Sequence, residues 1–323
     1  MRISVEKRIW PFAKPLKIAR GTMTHIELID VSLELEGHVG RGEGIGIPYK
    51  GETAEQMIEQ VTAVASAVKA GASRDDLVAL LPNGGARNAL DCAMWDLSCK
   101  KEGRRIWEYL NLVPRPLTTV ATISVDDPEV MSASAAQAPS THLKIKVNSK
   151  DPIAQVEAVR SSRPDATLIV DANQSIPPSE LKSVAEAYAK LDVKLLEQPL
   201  EAGADDVLQE YSLPIPICAD ESCETLADLE RVSKLYSYVN IKLDKAGGLT
   251  HALQIAKEAR IRNLGLMVGC MAGTSLGMAP SFIVGQMCQY VDIDGPLLMA
   301  GDREHAMMYS NGRVSPPNSQ LWG

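Results

Sequence analysis

Two lysines one residue apart, Lys144 and Lys146, form the first pair in the chain whose types and spacing could do chemistry. They stand in the run Thr141 to Val147, where Leu143, Ile145 and Val147 alternate with them. In an extended strand successive side chains point to opposite faces, so the two lysines project together and the apolar residues project the other way. Two ammonium groups on one face of a buried strand repel each other and lose hydration, and both effects favour a neutral amine, which is a base. An exposed sheet edge blunted by lysines is the competing reading of the pair taken alone.

Three later β-rich runs end in acids: Asp171-Ala172-Asn173, Glu197-Gln198-Pro199 and Asp220-Glu221-Ser222. Any one of these carboxylates could be a helix N-cap. Three in successive units, converging at strand ends, would repel one another without a cation. Hard oxygen ligands of this kind suit Mg²⁺, with positions left for water or substrate. A further run ends Asn240-Ile241-Lys242-Leu243-Asp244-Lys245-Ala246-Gly247-Gly248. A lysine here, opposite Lys146, would allow a proton to leave one face of a carbon and another to arrive on the opposite face. Strand period does not decide whether that lysine is Lys245 or Lys242. Asp292 and Asp294 share a face by the same alternation and suit the grip of an ammonium group, with a second metal site or a solvated turn as alternatives.

The elements needed to position these residues can be read from the same chain. Apolar alternation predicts strands over 26–35 and after the turn Glu36-Gly37-His38. The glycine-rich 40–46 stretch lacks phosphate-loop spacing and reads as a strand end and mobile loop. Thr53 with Gln56 predicts a capping box opening a helix that carries Met57, Val61, Val64 and Val68, and another helix begins near Ala86. From about residue 119, eight β-rich runs recur every roughly 24 residues with helical periodicity between them, the grammar of a β/α barrel, in which chemistry sits at the C-terminal strand ends. The expected class is α/β: a modified TIM barrel, (β/α)7β, over residues 116–300, with an N-terminal α+β capping domain over 1–115 joined by the tail 301–323.

The formal net charge of −8 and the lack of a clustered basic patch argue against nucleic acid as a partner. With 45% hydrophobic and 23% charged residues the composition is that of an ordinary globular protein. The absence of a signal peptide or a long apolar segment predicts a cytoplasmic protein without a membrane partner. Six cysteines without metal or redox spacing read as reduced packing residues.

Taken together, Lys144-Ile145-Lys146, Asp171-Ala172-Asn173, Glu197-Gln198-Pro199, Asp220-Glu221-Ser222 and Lys245-Ala246-Gly247-Gly248 resemble the enolase superfamily, in its muconate-lactonising subgroup. The resemblance spans essentially the whole chain. It implies one Mg²⁺ per subunit on Asp171, Glu197 and Asp220, and Lys146 and Lys245 as the acid/base pair, with Lys144 tuning Lys146. It also implies abstraction of the proton α to a carboxylate with a metal-stabilised enolate. Within the subgroup, Asp292 and Asp294 resemble the pair that holds a dipeptide's ammonium group, and Arg20 matches the position that holds a glutamate side chain. Tyr49 and Lys50 would help close the site. The implied activity is dipeptide epimerisation, of the L-Ala-D/L-Glu kind, in cell-wall peptide recycling. The alternatives are N-acylamino acid racemisation, o-succinylbenzoate synthesis, cycloisomerisation or a different dipeptide. A histidine base is absent from the later strand ends, since the five histidines are His25, His38, His142, His251 and His305. The expected partner is a small dipeptide, and a homo-oligomer is compatible with the sequence.

Overall fold

The computed structural model describes residues 1–18 and 21–323. Its N-terminal part is a three-stranded antiparallel sheet of β1 (Arg2–Ile18), β2 (Gly21–Leu35) and β3 (His38–Ile45), in that order. Alternation in β2 buries Ile29, Val31 and Leu33, as a half-buried strand requires. Helix α1 (Ala54–Lys69) opens on the expected capping box, with Gln56 N donating to Thr53 Oγ1 at 3.2 Å and Thr53 N donating to Gln56 Oε1 at 2.9 Å. Its buried stripe is Met57, Val61, Val64 and Val68.

Helix α2 (Gly85–Glu102) is buried on nearly every side because it lies between this sheet and the rest of the protein. The glycine-rich stretch is a correction to the sequence reading. It is not a mobile loop but a strand, β3, pressed against α2. A Cβ on Gly42 would stand 2.0 Å from the Ala89 carbonyl oxygen, and one on Gly44 would stand 2.0 Å from that of Gly85. Glycine is required there by the close approach of two backbones.

The second sheet has eight parallel strands in sequential order: β4 (Ala121–Ile123), β5 (His142–Lys146), β6 (Thr167–Asp171), β7 (Val193–Glu197), β8 (Ile217–Ala219), β9 (Tyr238–Lys242), β10 (Gly265–Gly269) and β11 (Tyr290–Val291). The seam between its ends is bridged by Val120 N donating to Val291 O at 2.9 Å and by Ile293 N donating to Thr119 Oγ1 at 3.1 Å. Between strands run α3 (Pro128–Gln137), α4 (Pro152–Ser162), α5 (Pro178–Lys190), α6 (Leu229–Leu235), α7 (Leu249–Ile261) and α8 (Ser275–Gly285). The first three of these begin on proline, whose missing N–H costs nothing at that position. The β7–β8 connection carries a 3₁₀ segment, Asp205–Glu210, instead of an α-helix.

Strand faces divide the interior. Leu143, Ile145, Leu168, Val170 and Leu196 point outward and pack with the helices in the main core. Val120, Ile169, Leu195, Cys218 and Met267 point inward and form a small apolar floor. The charged layer stands above that floor, one pleat nearer the C-terminal strand ends.

The tail ties the two parts together. Arg303 pairs with Asp30 at 2.5 Å and with Glu43 at 2.6 Å, and Trp322 Nε1 donates to Cys92 O at 3.0 Å. Strands 309–310 and 313–314 add Leu117–Thr118 in a small antiparallel sheet. All six cysteines are free. Among the described residues no helix is long and apolar enough to cross a membrane.

Candidate active site

Parallel register brings the acids to one level. Lys146 pairs across β5–β6 with Asp171, and Asp171 pairs across β6–β7 with Glu197, so their side chains share the inner face at neighbouring strand ends. Asp220 follows immediately after β8. One oxygen from each of Asp171, Glu197 and Asp220 lies within 4.8 Å of the others, and all three side chains are buried. Asn240 Nδ2 donates to Glu197 Oε1 at 2.7 Å. Glu197 Oε2 accepts no hydrogen bond of good geometry among the described residues, although Lys144 Nζ lies 2.8 Å away. Burial and the charge of Asp171 push the Glu197 carboxyl up. Crowded hard oxygens, one with unused acceptor capacity, fit a divalent cation such as Mg²⁺.

Lys144 departs from the expectation for a base or its like-charged neighbour. Its Nζ lies 3.0 Å from Asp171 Oδ2, 2.8 Å from Glu197 Oε2 and 2.7 Å from Asp292 Oδ2. Burial opposes its charge, but Asp171, Asp292 and Glu197 together hold its pKa well above the ordinary lysine value. The carboxylates that reverse the expectation come from strands distant in sequence. Asp171 answers in kind: burial would raise its carboxyl, and Lys144 and Lys146 hold it well below the usual range. Lys146 Nζ donates to Asp171 Oδ2 at 2.6 Å and to Asn173 Oδ1 at 3.3 Å.

A cavity of about 610 Å³ opens above this layer, between the barrel mouth and the N-terminal sheet. Such a volume suits a small ligand. Lys146, Lys242, Asp292, Asp294, Thr122 and Glu221 line its barrel side. Lys242, the last residue of β9, is 7% exposed and donates to Asp220 Oδ2 at 2.7 Å. Burial opposes its charge, and Asp220 raises its pKa to about 12. Lys245 lies in the helical turn Leu243–Ala246, is 1% exposed, and does not line the cavity. The lysine that faces the cavity from the sixth barrel strand is therefore Lys242 and not Lys245. Strands β5 and β9 stand four apart in an eight-strand ring, which sets Lys146 and Lys242 on opposite sides.

Asp292 and Asp294 follow β11 and both line the cavity. Asp292 receives Lys144, and Asp294 Oδ2 accepts from Thr122 N at 2.7 Å. Burial and the neighbouring Asp292 charge push Asp294 up to about 7. Arg20 lies outside the described residues. Ile18, Gly21 and Thr22 line the cavity, as does Tyr49, whose hydroxyl donates to Glu224 Oε1 at 3.1 Å. Lys50 also pairs with Glu224.

Gln198 has a role that its sequence context does not reveal. Its Oε1 accepts from Asp220 N at 2.8 Å and from Ser222 N at 3.1 Å, which fixes the turn carrying Asp220. Asn240 was likewise unassigned, although its place two residues before Lys242 on β9 puts both on one face.

Barrel, cap and acid triad define the class, and the chain belongs to the enolase superfamily, matching the "Mandelate racemase / muconate lactonizing enzyme, N-terminal domain" over residues 1–110 and "Enolase C-terminal domain-like" over 129–320. Among curated relatives, it is 38% identical to the L-Ala-D/L-Glu epimerase of Escherichia coli (strain K12), covering 97% of this chain and 98% of that one. It is 44% identical to an N-acetyl-D-glutamate racemase of a Pseudoalteromonas species, covering 77% and 79%. A solved enolase-family structure from Agrobacterium tumefaciens, described as homologous to dipeptide epimerases and holding sodium and L-Ala-L-Glu, superposes with a TM-score of 0.97. That pair is 39% identical, with 99% of each chain covered.

Proposed function

We propose that the protein is a Mg²⁺-dependent dipeptide epimerase that inverts the C-terminal residue of L-Ala-D/L-Glu by two-base 1,1-proton transfer. The observation that carries this reading is the pair Lys146 and Lys242, facing one cavity from opposite sides beside the acid triad. Inversion needs one amine neutral to take the α-proton and one ammonium to return a proton on the other face. An α-proton beside a carboxylate is a weak acid, because its removal places a second negative charge on the same oxygens. A divalent cation held by Asp171, Glu197 and Asp220 supplies positive charge where that negative charge develops. Lys144 holds Asp171, Glu197 and Asp292 in register around its own buried ammonium.

Asp292 and Asp294 suit the substrate's ammonium group, and Arg20 suits the glutamate side chain by bidentate pairing. A substrate of this kind fits recycling of cell-wall peptides in the cytoplasm. The cradle disfavours cycloisomerisation and succinylbenzoate synthesis, whose substrates have no ammonium. Racemisation of an N-acylamino acid is the second reading, favoured by the 44% identity to the Pseudoalteromonas racemase. Incubating the enzyme and Mg²⁺ with L-Ala-L-Glu, a wider dipeptide panel and N-acetylglutamate, and following inversion by polarimetry, separates them. The dipeptide reading expects L-Ala-L-Glu to have the highest kcat/KM. Turnover of N-acetylglutamate alone contradicts it.

A further inference from the structure

The proton transfer proposed above gives Lys245 no task, yet the residue is only 1% exposed. Burying an ammonium is costly unless it is paired and hydrogen-bonded. Lys245 Nζ donates to Asp220 Oδ1 at 2.6 Å, to Cys223 O at 2.9 Å, to Asn240 O at 3.1 Å and to the carbonyl of Asp220. Four acceptors exceed its three protons, so at least one proton is shared.

Three of those acceptors belong to the turn 220–223 after β8, and the fourth belongs to β9. The ammonium therefore stitches two neighbouring strand ends together. It also takes one oxygen of Asp220, while Lys242 takes the other at 2.7 Å from the cavity side. Asp220 is thus fixed from behind by one cation and met in front by another.

The same turn receives the cap. Asn83 Nδ2 donates to Lys245 O at 3.0 Å and to Glu224 Oε2 at 3.1 Å. Tyr49, which lines the cavity, donates to the other oxygen of Glu224. A series of direct contacts runs from the cavity rim through Glu224 and Asn83 to Lys245 and Asp220.

We propose that Lys245 is a positioning residue that orients Asp220 toward the cation site and holds the 220–224 turn in the form that receives the cap, without taking part in proton transfer. This rests on the triad being the metal site, which is part of the proposed function. Its effect reaches the cation through Asp220 and reaches the substrate only through the cap.

The test uses full-length Lys245→Met and Lys245→Gln beside wild type and Lys242→Ala. Mg²⁺ is titrated into metal-free protein by calorimetry without substrate. Exchange of the α-proton of each dipeptide epimer is then followed in D2O at saturating Mg²⁺. Lys245→Met is expected to weaken Mg²⁺ binding by about tenfold or more, the scale of losing a group that orients a ligand. Lys245→Gln keeps two N–H donors and recovers part of that loss. Both Lys245 variants still exchange both epimers, whereas Lys242→Ala loses exchange of one. Unchanged or tighter Mg²⁺ binding in the Lys245 variants overturns the proposal. So does loss of exchange from a single epimer, which would make Lys245 a base. Should Lys245→Met not fold, Lys245→Gln carries both readouts. The Mg²⁺ titration needs no dipeptide, so a wild type inactive on dipeptides would end the epimerase reading and leave this one standing.

Discussion

The barrel mouth and the N-terminal cap meet at one cavity but are built on opposite terms. At the mouth, charges sit on strand ends whose register is set by backbone pairing, so Lys146, Asp171 and Glu197 are fixed to one level by the sheet itself. On the cap side, the lining comes from strand ends and a short turn, around Ile18, Gly21 and Tyr49. The difference teaches where each property of the enzyme resides. On the proposed reading, reaction chemistry belongs to the strand-end layer, and the choice of substrate side chain belongs to cap segments that can vary without disturbing it.

The largest effect expected on the barrel side is that of Glu197→Gln. It removes a charge from the triad and should weaken Mg²⁺ binding by more than about 100-fold, beyond what loss of a merely supporting group brings. Calorimetric titration checks this. Binding left intact would mean that the three acids hold no cation.

Asp294→Asn sharpens the comparison by testing one of the two barrel acids assigned to substrate recognition. Loss of a charged hydrogen bond of about 1.5–3 kcal/mol should lower kcat/KM for L-Ala-L-Glu by roughly 10- to 100-fold. N-acetylglutamate, lacking the ammonium, should be little affected. The pH profile gives a second readout. Burial and the Asp292 charge raise Asp294 to about 7, so below that pH the carboxyl is protonated and neutral. For the wild type, kcat/KM should therefore rise as pH increases through about 7, and this limb should vanish in Asp294→Asn.

Gly42→Ala probes the joint between cap sheet and α2, away from the chemistry. Its Cβ would stand 2.0 Å from a backbone carbonyl, and such overpacking costs about 1–3 kcal/mol or more. Urea unfolding should show that loss, with kcat per folded molecule nearly unchanged. A large fall in kcat would show that the cap's rigid half shapes the reaction too.

The same contrast governs what could be read from sequence. Asp171, Glu197 and Asp220 were legible because a parallel barrel gathers the residue at the end of each strand, and no further tertiary knowledge is needed. The role of Lys144 was not legible, because the carboxylates around it arrive from three other strands and turn apparent repulsion into attraction. Lys242 and Lys245 could not be separated because β9 gives way to a helical turn at Leu243, where a period of two stops applying. The 40–46 segment misled because glycine is a poor strand former. Only the helix packed against it explains why glycine stands there.

The central claim is that two lysines act from opposite faces of one carbon. Lys146→Ala and Lys242→Ala, each loaded with Mg²⁺ and given separately L-Ala-L-Glu and L-Ala-D-Glu in D2O, test it by NMR of the α-proton. Epimerisation should fall in both by at least about 100-fold, the usual scale of general acid–base catalysis. Each variant should still exchange the α-proton of one epimer, and the two should retain opposite ones. Loss of the same epimer in both, or full epimerisation in Lys242→Ala, would contradict the account.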